Sequence, residues 1–76
     1  MLNLLSANDY KALSDALRRM EEITIVRELG DYEVKASTTP AGRGWNVAML
    51  VCIEWQKGGH YERKYSESVE EARRFV

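Results

Sequence analysis

Seventy-six residues make one small domain, and a chain of this size buries only about 60% of its unfolded surface, so its core is marginal. Eleven basic and twelve acidic residues leave a net charge of −1, with no basic run longer than two; that spread argues against a dedicated phosphate-binding surface. The single cysteine excludes an intrachain disulfide and a cysteine-rich metal site.

No stretch has the length and apolarity of a transmembrane helix. Met1 to Leu5 is too short and uncharged for a signal peptide. The expectation is a cytoplasmic chain with no membrane partner. The sequence shows no internal repeat, low-complexity segment or linker.

In chain order, Ser6 opens the first helix. Ser6-Ala-Asn-Asp9 has the spacing of a capping box, and Leu5 is placed to staple against Tyr10. Tyr10, Leu13, Leu17 and Met20 fall on one helical face with Ala16 beside them, so this stripe is expected to pack on a sheet. Asp15 stands four residues before Arg19, a helix-supporting pair. Ile23-Thr24-Ile25-Val26 is β-branched throughout and begins a strand that runs to about Leu29. Gly30-Asp31 is a turn, and Tyr32 to Ser37 is the returning strand.

A two-residue turn there places Ile23, Ile25, Leu29, Tyr32, Val34 and Ala36 on one face. It also sets Glu28 opposite Glu33, a cost under about 1 kcal/mol. Each large apolar side chain buried gains about 1.5–3 kcal/mol, so burial decides the register. Thr38 to Gly44, TTPAGRG, is expected to be a flexible loop, because Pro40 and two glycines oppose regular structure. Gly-Arg-Gly within it has no Walker or dinucleotide pattern around it, so Arg43 is expected to be solvated.

The longest apolar run is Trp45 to Trp55, WNVAMLVCIEW. Trp45, Val47, Met49, Val51, Ile53 and Trp55 alternate onto one face. The other face carries Asn46, Ala48, Leu50, Cys52, Glu54 and Gln56, also apolar in its middle, as in a central strand. Cys52 is expected to be a small buried hydrophobe. Lys57-Gly58-Gly59 turns the chain, and His60 to Ser66 returns antiparallel. A three-residue loop aligns Tyr61 and Tyr65 with the tryptophan face. A two-residue loop aligns them with Glu54 and Cys52 and pairs Glu54 with Arg63. The burial argument favours the first. Ser68-Val-Glu-Glu71 is a second capping box; Glu67, Glu70 and Glu71 near the start of its helix and Arg73 and Arg74 near the end suit the helix dipole. Val69, Ala72 and Phe75 or Val76 would face the sheet. The expected fold is α+β: an N-terminal helix, a four-stranded antiparallel sheet built from two hairpins, and a short C-terminal helix, in two layers.

The sequence offers little for catalysis, so no enzyme, cofactor or metal is expected. His60 sits beside a glycine turn without ligands at metal spacing. No serine has the surroundings of a nucleophile. Glu21-Glu22 and Glu70-Glu71 are adjacent helical positions that point apart. The feature that stands out is Tyr61, Arg63 and Tyr65 on one face of a strand. Two aromatics flanking an arginine suit a cation–π contact and a protein interface. They also suit stacking of single-stranded bases. The plainest alternative is that both tyrosines cover the edge of the core and Arg63 snorkels over them.

The glycine-turned hairpin followed by the Ser68-x-Glu70-Glu71-Ala72 helix resembles the small three-stranded arm-type DNA-binding domains of phage integrases, over about the last 30 residues. That resemblance implies DNA binding. As a compact, near-neutral α+β chain, the sequence is also similar in type to small phage-encoded inhibitors, including anti-CRISPR proteins, which implies a protein partner. The first expectation is a protein-binding module, an inhibitor of a larger protein, that docks through Tyr61, Arg63, Tyr65, Arg43 and Lys57. The alternative is a weak nucleic-acid binder that adds Lys64 to those residues. A homodimer is also expected, because a small four-stranded sheet leaves two open edges.

Overall fold

The computed structural model describes residues 5–43 and 46–74, without the side chains of Arg43, Asn46 and Val47. The order is α1 (Ala7–Arg19), β1 (Thr24–Leu29), β2 (Tyr32–Arg43), β3 (Asn46–Lys57), β4 (His60–Ser66) and α2 (Val69–Ala72). The four strands form one antiparallel sheet in the order β1-β2-β3-β4. α1 packs on β2 and β3, and α2 on β3 and β4, which gives the expected two layers. Trp45, Phe75 and Val76, assigned above to the central strand and to the last helix, lie outside the described residues.

Both bonds of the first capping box form: the Asp9 N–H donates to Ser6 Oγ at 3.1 Å, and the Ser6 N–H to Asp9 Oδ2 at 3.0 Å. At the other end the Met20 N–H reaches the Leu17 carbonyl and the Glu21 N–H the Ala16 carbonyl, the paired bonds of a Schellman motif. Met20 therefore adopts the left-handed region, with φ of 56°. It leaves the apolar stripe to which the 3.6 period assigned it and is 59% exposed. Leu13 and Ala16 are buried as expected, with Tyr10 and Leu17 packed partly against the core. The rest of the core comes from Leu5, Val34, Ala36, Val51, Ile53 and Ala72.

The first hairpin has the expected register, with Leu29 opposite Tyr32 and Glu28 opposite Glu33. Arg27 falls on the helix side of β1, opposite Val34. Its guanidinium grips the buried Asp9 carboxylate through two bonds, Nη2 to Oδ1 at 2.8 Å and Nε to Oδ2 at 3.2 Å. One carboxylate thus caps α1 and pins it to the edge strand.

The expected loop from Thr38 to Gly44 is mostly strand. β2 and β3 pair without interruption from Tyr32↔Lys57 to Arg43↔Asn46. Proline is tolerated because β1 pairs no further along β2 than Ser37. The Thr38 N–H points to the β1 side, where it donates to the Ile23 carbonyl at 3.0 Å. Two residues on, the missing N–H of Pro40 faces the same, now vacant, side and removes no bond to β3. Beyond Ser37 on β2 and Val51 on β3 the two strands continue alone as a ribbon, along a molecule 41 Å in its longest dimension. The Thr38 hydroxyl anchors the ribbon's base: it donates to the Glu21 carbonyl at 2.7 Å and accepts from the Ile23 N–H at 2.9 Å.

The second hairpin takes the two-residue register that the burial argument disfavoured. Lys57 pairs with His60, Trp55 with Glu62 and Glu54 with Arg63. Gly58 and Gly59 have φ of 53° and 86°, the double positive φ that a tight primed turn requires and that glycine supplies without strain. Burial lost because β4 is an edge strand, where the expected gain from a helix above it is small. The second capping box closes by one bond, from the Glu71 N–H to Ser68 Oγ at 3.2 Å, and α2 is a single turn.

Two stability predictions follow from the ends of α1. The Asp9 pKa is lowered, chiefly by its bond from the Ser6 N–H and further by Arg27. A lowered carboxyl pKa stabilises the fold above the ordinary value of 3.8 and loses that contribution as pH falls through the folded value. Asp9→Asn should therefore cost about 1–2 kcal/mol at pH 7, and its melting curve should converge on that of the native chain in acid below 3.8. Met20→Gly should raise stability by about 1 kcal/mol in a denaturant melt, since it relieves the left-handed strain and loses no buried side chain.

Candidate functional site

The helices cover one face of the sheet, so the strand alternation leaves the other open. Three cross-strand rows compose that face: Thr24, Ser37, Cys52 and Tyr65; Val26, Lys35, Glu54 and Arg63; Glu28, Glu33, Gln56 and Tyr61. Tyr61, Arg63 and Tyr65 therefore stand together on the uncovered side, because the Gly58-Gly59 turn puts odd-numbered β4 residues beside even-numbered β3 residues. Tyr61 and Tyr65 are 49% and 52% exposed, and Val26 is 47% exposed.

These side chains are held to one another. The Tyr61 hydroxyl donates to Glu54 Oε2 at 2.7 Å, and Arg63 Nε donates to the Tyr61 oxygen at 3.0 Å. Arg63 Nη2 lies 3.7 Å from the same Glu54 oxygen. The guanidinium is 5.8 Å from the Tyr61 ring centroid, at the outer limit of a cation–π contact; the bond to the hydroxyl is the closer tie. Lys35 and Arg63 stand opposite Glu54 from its two sides, so the middle row alternates in sign. An open hollow of about 240 Å³ lies among Glu33, Lys35, Glu54, Gln56 and Tyr61.

The electrostatics keep this cluster in one charge state. The Tyr61 bond, aided by the charge of Arg63, holds Glu54 below the ordinary carboxylate value. The same bond pushes the Tyr61 hydroxyl up. Bonds with Tyr61 and Tyr65 push Arg63 up. All three groups move away from neutrality, so none is poised to exchange a proton near pH 7. Cys52 is 4% exposed opposite Tyr65, and burial followed by the Glu54 charge pushes its thiol up, against reactivity.

Of the other candidates, Lys57 lies on the helix-side face, where its Nζ sits 4.6 Å from the Tyr32 ring centroid. Trp55 and His60 join it there, with ring centroids 5.5 Å apart. Lys64 is on the same side, opposite Ile53. Arg43 pairs with Asn46 at the far end of the ribbon. The structure thus unites Tyr61, Arg63 and Tyr65 and separates Lys57, Lys64 and Arg43 from them. Lys35 was missed as a member, and Glu54 was paired with Arg63 only in the register set aside; the Gly-Gly dipeptide, a strong marker of a two-residue turn, was the signal for it. Among the described residues no group of three or more His, Cys, Asp or Glu is placed to hold a metal ion, and no helix is long and apolar enough to cross a membrane. No protein-family model, curated protein or solved structure matches the chain.

The cluster has a direct spectroscopic test. Tyr61→Phe removes the donor to Glu54, so the Glu54 carboxyl should titrate closer to its ordinary 4.5, measured by carboxyl-carbon NMR. In the native chain the network should hold above that value and dissolve as pH falls through the lowered one.

Proposed function

We propose that this chain is a non-enzymatic module that binds a protein through the open face of its sheet, centred on Tyr61, Arg63 and Tyr65. The observation that carries this reading is a half-exposed tyrosine pair flanking an arginine that bonds the Tyr61 hydroxyl, which Glu54 holds in turn. Tyr and Arg are the side chains that most often anchor interfaces, and anchors already held in place lose little entropy on docking. The alternating charges of Lys35, Glu54 and Arg63 suit the mixed surface of a protein. A phosphate backbone would call for a single sign, and Lys57 and Lys64 lie on the other side of the sheet. In the same reading the module works in the cytoplasm by occluding a surface of a larger protein, as a phage-encoded inhibitor would; a rigid face suits that role because occlusion asks for no chemistry.

The native chain and its variants, used as bait against host extract, test the proposal. Tyr65→Ala and Arg63→Ala should each weaken capture of a stoichiometric protein by about 2 kcal/mol or more, with melting curves unchanged because both side chains are exposed. Lys57→Ala and Lys64→Ala should leave capture intact. Capture lost only with the two lysines, or tight oligonucleotide binding at low salt that fades steeply as salt rises, would overturn it in favour of nucleic-acid binding.

A further inference from the structure

The ribbon beyond the sheet has two long edges, and they are not alike. On β2 the vacant edge carries Pro40, which has no N–H to offer, and proline is a common device for blocking strand addition. The β3 edge carries no such block. The Thr38 N–H points toward β1, so its partner Val51 points its own main-chain groups away from β2, toward Ser66 of β4. Alternation gives Met49 and Val47 the same orientation. β4 ends at Ser66, opposite Val51, and among the described residues no strand pairs with 46–50 on that side. From Asn46 to Ile53 the sequence contains neither a charge nor a proline.

We propose that two copies of the chain pair antiparallel through this β3 edge, using the main-chain groups of Val47 and Met49, and join their sheets into one. The choice of a second copy rests on charge. Antiparallel pairing carries the tip of each ribbon toward the base of the other. The tip carries Arg43, the only charged residue between positions 38 and 50. The base holds a hollow of about 300 Å³ lined by Leu50, Tyr65, Ser66, Glu67 and Glu71, two of them acidic. The two-fold axis repeats that match of opposite charges on both sides.

Light scattering at high micromolar concentration should give twice 8.8 kDa, and amide exchange should show the Val47 and Met49 N–H groups protected in the dimer. Ala48 is exposed, so Ala48→Lys adds like charges beside the two-fold axis without touching the core and should return the mass to 8.8 kDa with unchanged circular dichroism. Met49→Pro, which like Pro40 opposite it deletes an N–H on the outward side, should do the same. Glu67→Lys with Glu71→Lys should weaken the dimer, and adding Arg43→Glu should restore it. A native chain that stays monomeric overturns the proposal. So does a dimer that survives both edge variants, or rapid exchange at Val47 and Met49 within a dimer. A dimer abolished by Tyr61→Ala instead would place self-association on the open face.

Discussion

The turn at Gly58-Gly59 sets the character of the molecule's exposed surface. Two consecutive positive φ angles fix a two-residue connection, and every pairing between β3 and β4 follows from it. A one-residue shift would exchange the two faces of β4. Tyr61, Arg63 and Tyr65 would then lie on the helix side, and Glu62 and Lys64 on the open side. Gly58 and Gly59 supply both positive φ angles of the two-residue turn without strain, and on this edge strand Tyr61 and Tyr65 stay about half exposed. Local backbone chemistry therefore decided a question that a comparison of buried areas alone would have answered the other way.

Much of the fold was legible because its instructions are short-range. Ser6 and Asp9 mark the helix start, Gly30-Asp31 closes the first hairpin, and the alternation around Val51 and Ile53 identifies a central strand. What stayed hidden depends on distant residues. Pro40 reads as a breaker until the end of β1 is known, because only then does its missing N–H face an empty side. The role of Arg27 carries no mark in the sequence, since nothing local announces that Asp9, eighteen positions earlier, will meet it. Met20 fits the apolar period and still leaves it, because the exit from α1 required a left-handed residue there. Three of the five site candidates, on one strand, came together; Lys57 and Arg43 did not, because a turn and a ribbon carried them elsewhere.

The two faces of the sheet divide the work. The covered face holds a small core of aliphatic side chains tied to α1 by the Asp9–Arg27 bonds. The open face stores its order in Glu54, Tyr61 and Arg63. Exposed ion pairs and hydrogen bonds of this kind add little to stability, typically under about 1 kcal/mol. Their effect is to narrow the rotamers that Tyr61 and Arg63 sample, so the surface keeps one shape and one pattern of charge.

The sheet order β1-β2-β3-β4 is that of a simple meander, and this has a consequence for how the chain acquires its structure. Every strand pairs with its neighbour in sequence across a connection of two residues, so each closure costs little loop entropy. The β2–β3 ladder is twelve pairs long, and its Arg43↔Asn46 end joins residues close in sequence. β1 and β4 pair with opposite sides of it, and α1 packs over β2 and β3. Pairing of consecutive strands spares the chain a long-distance search, while among the described residues the β3 edge beyond Val51 stays open in the finished fold.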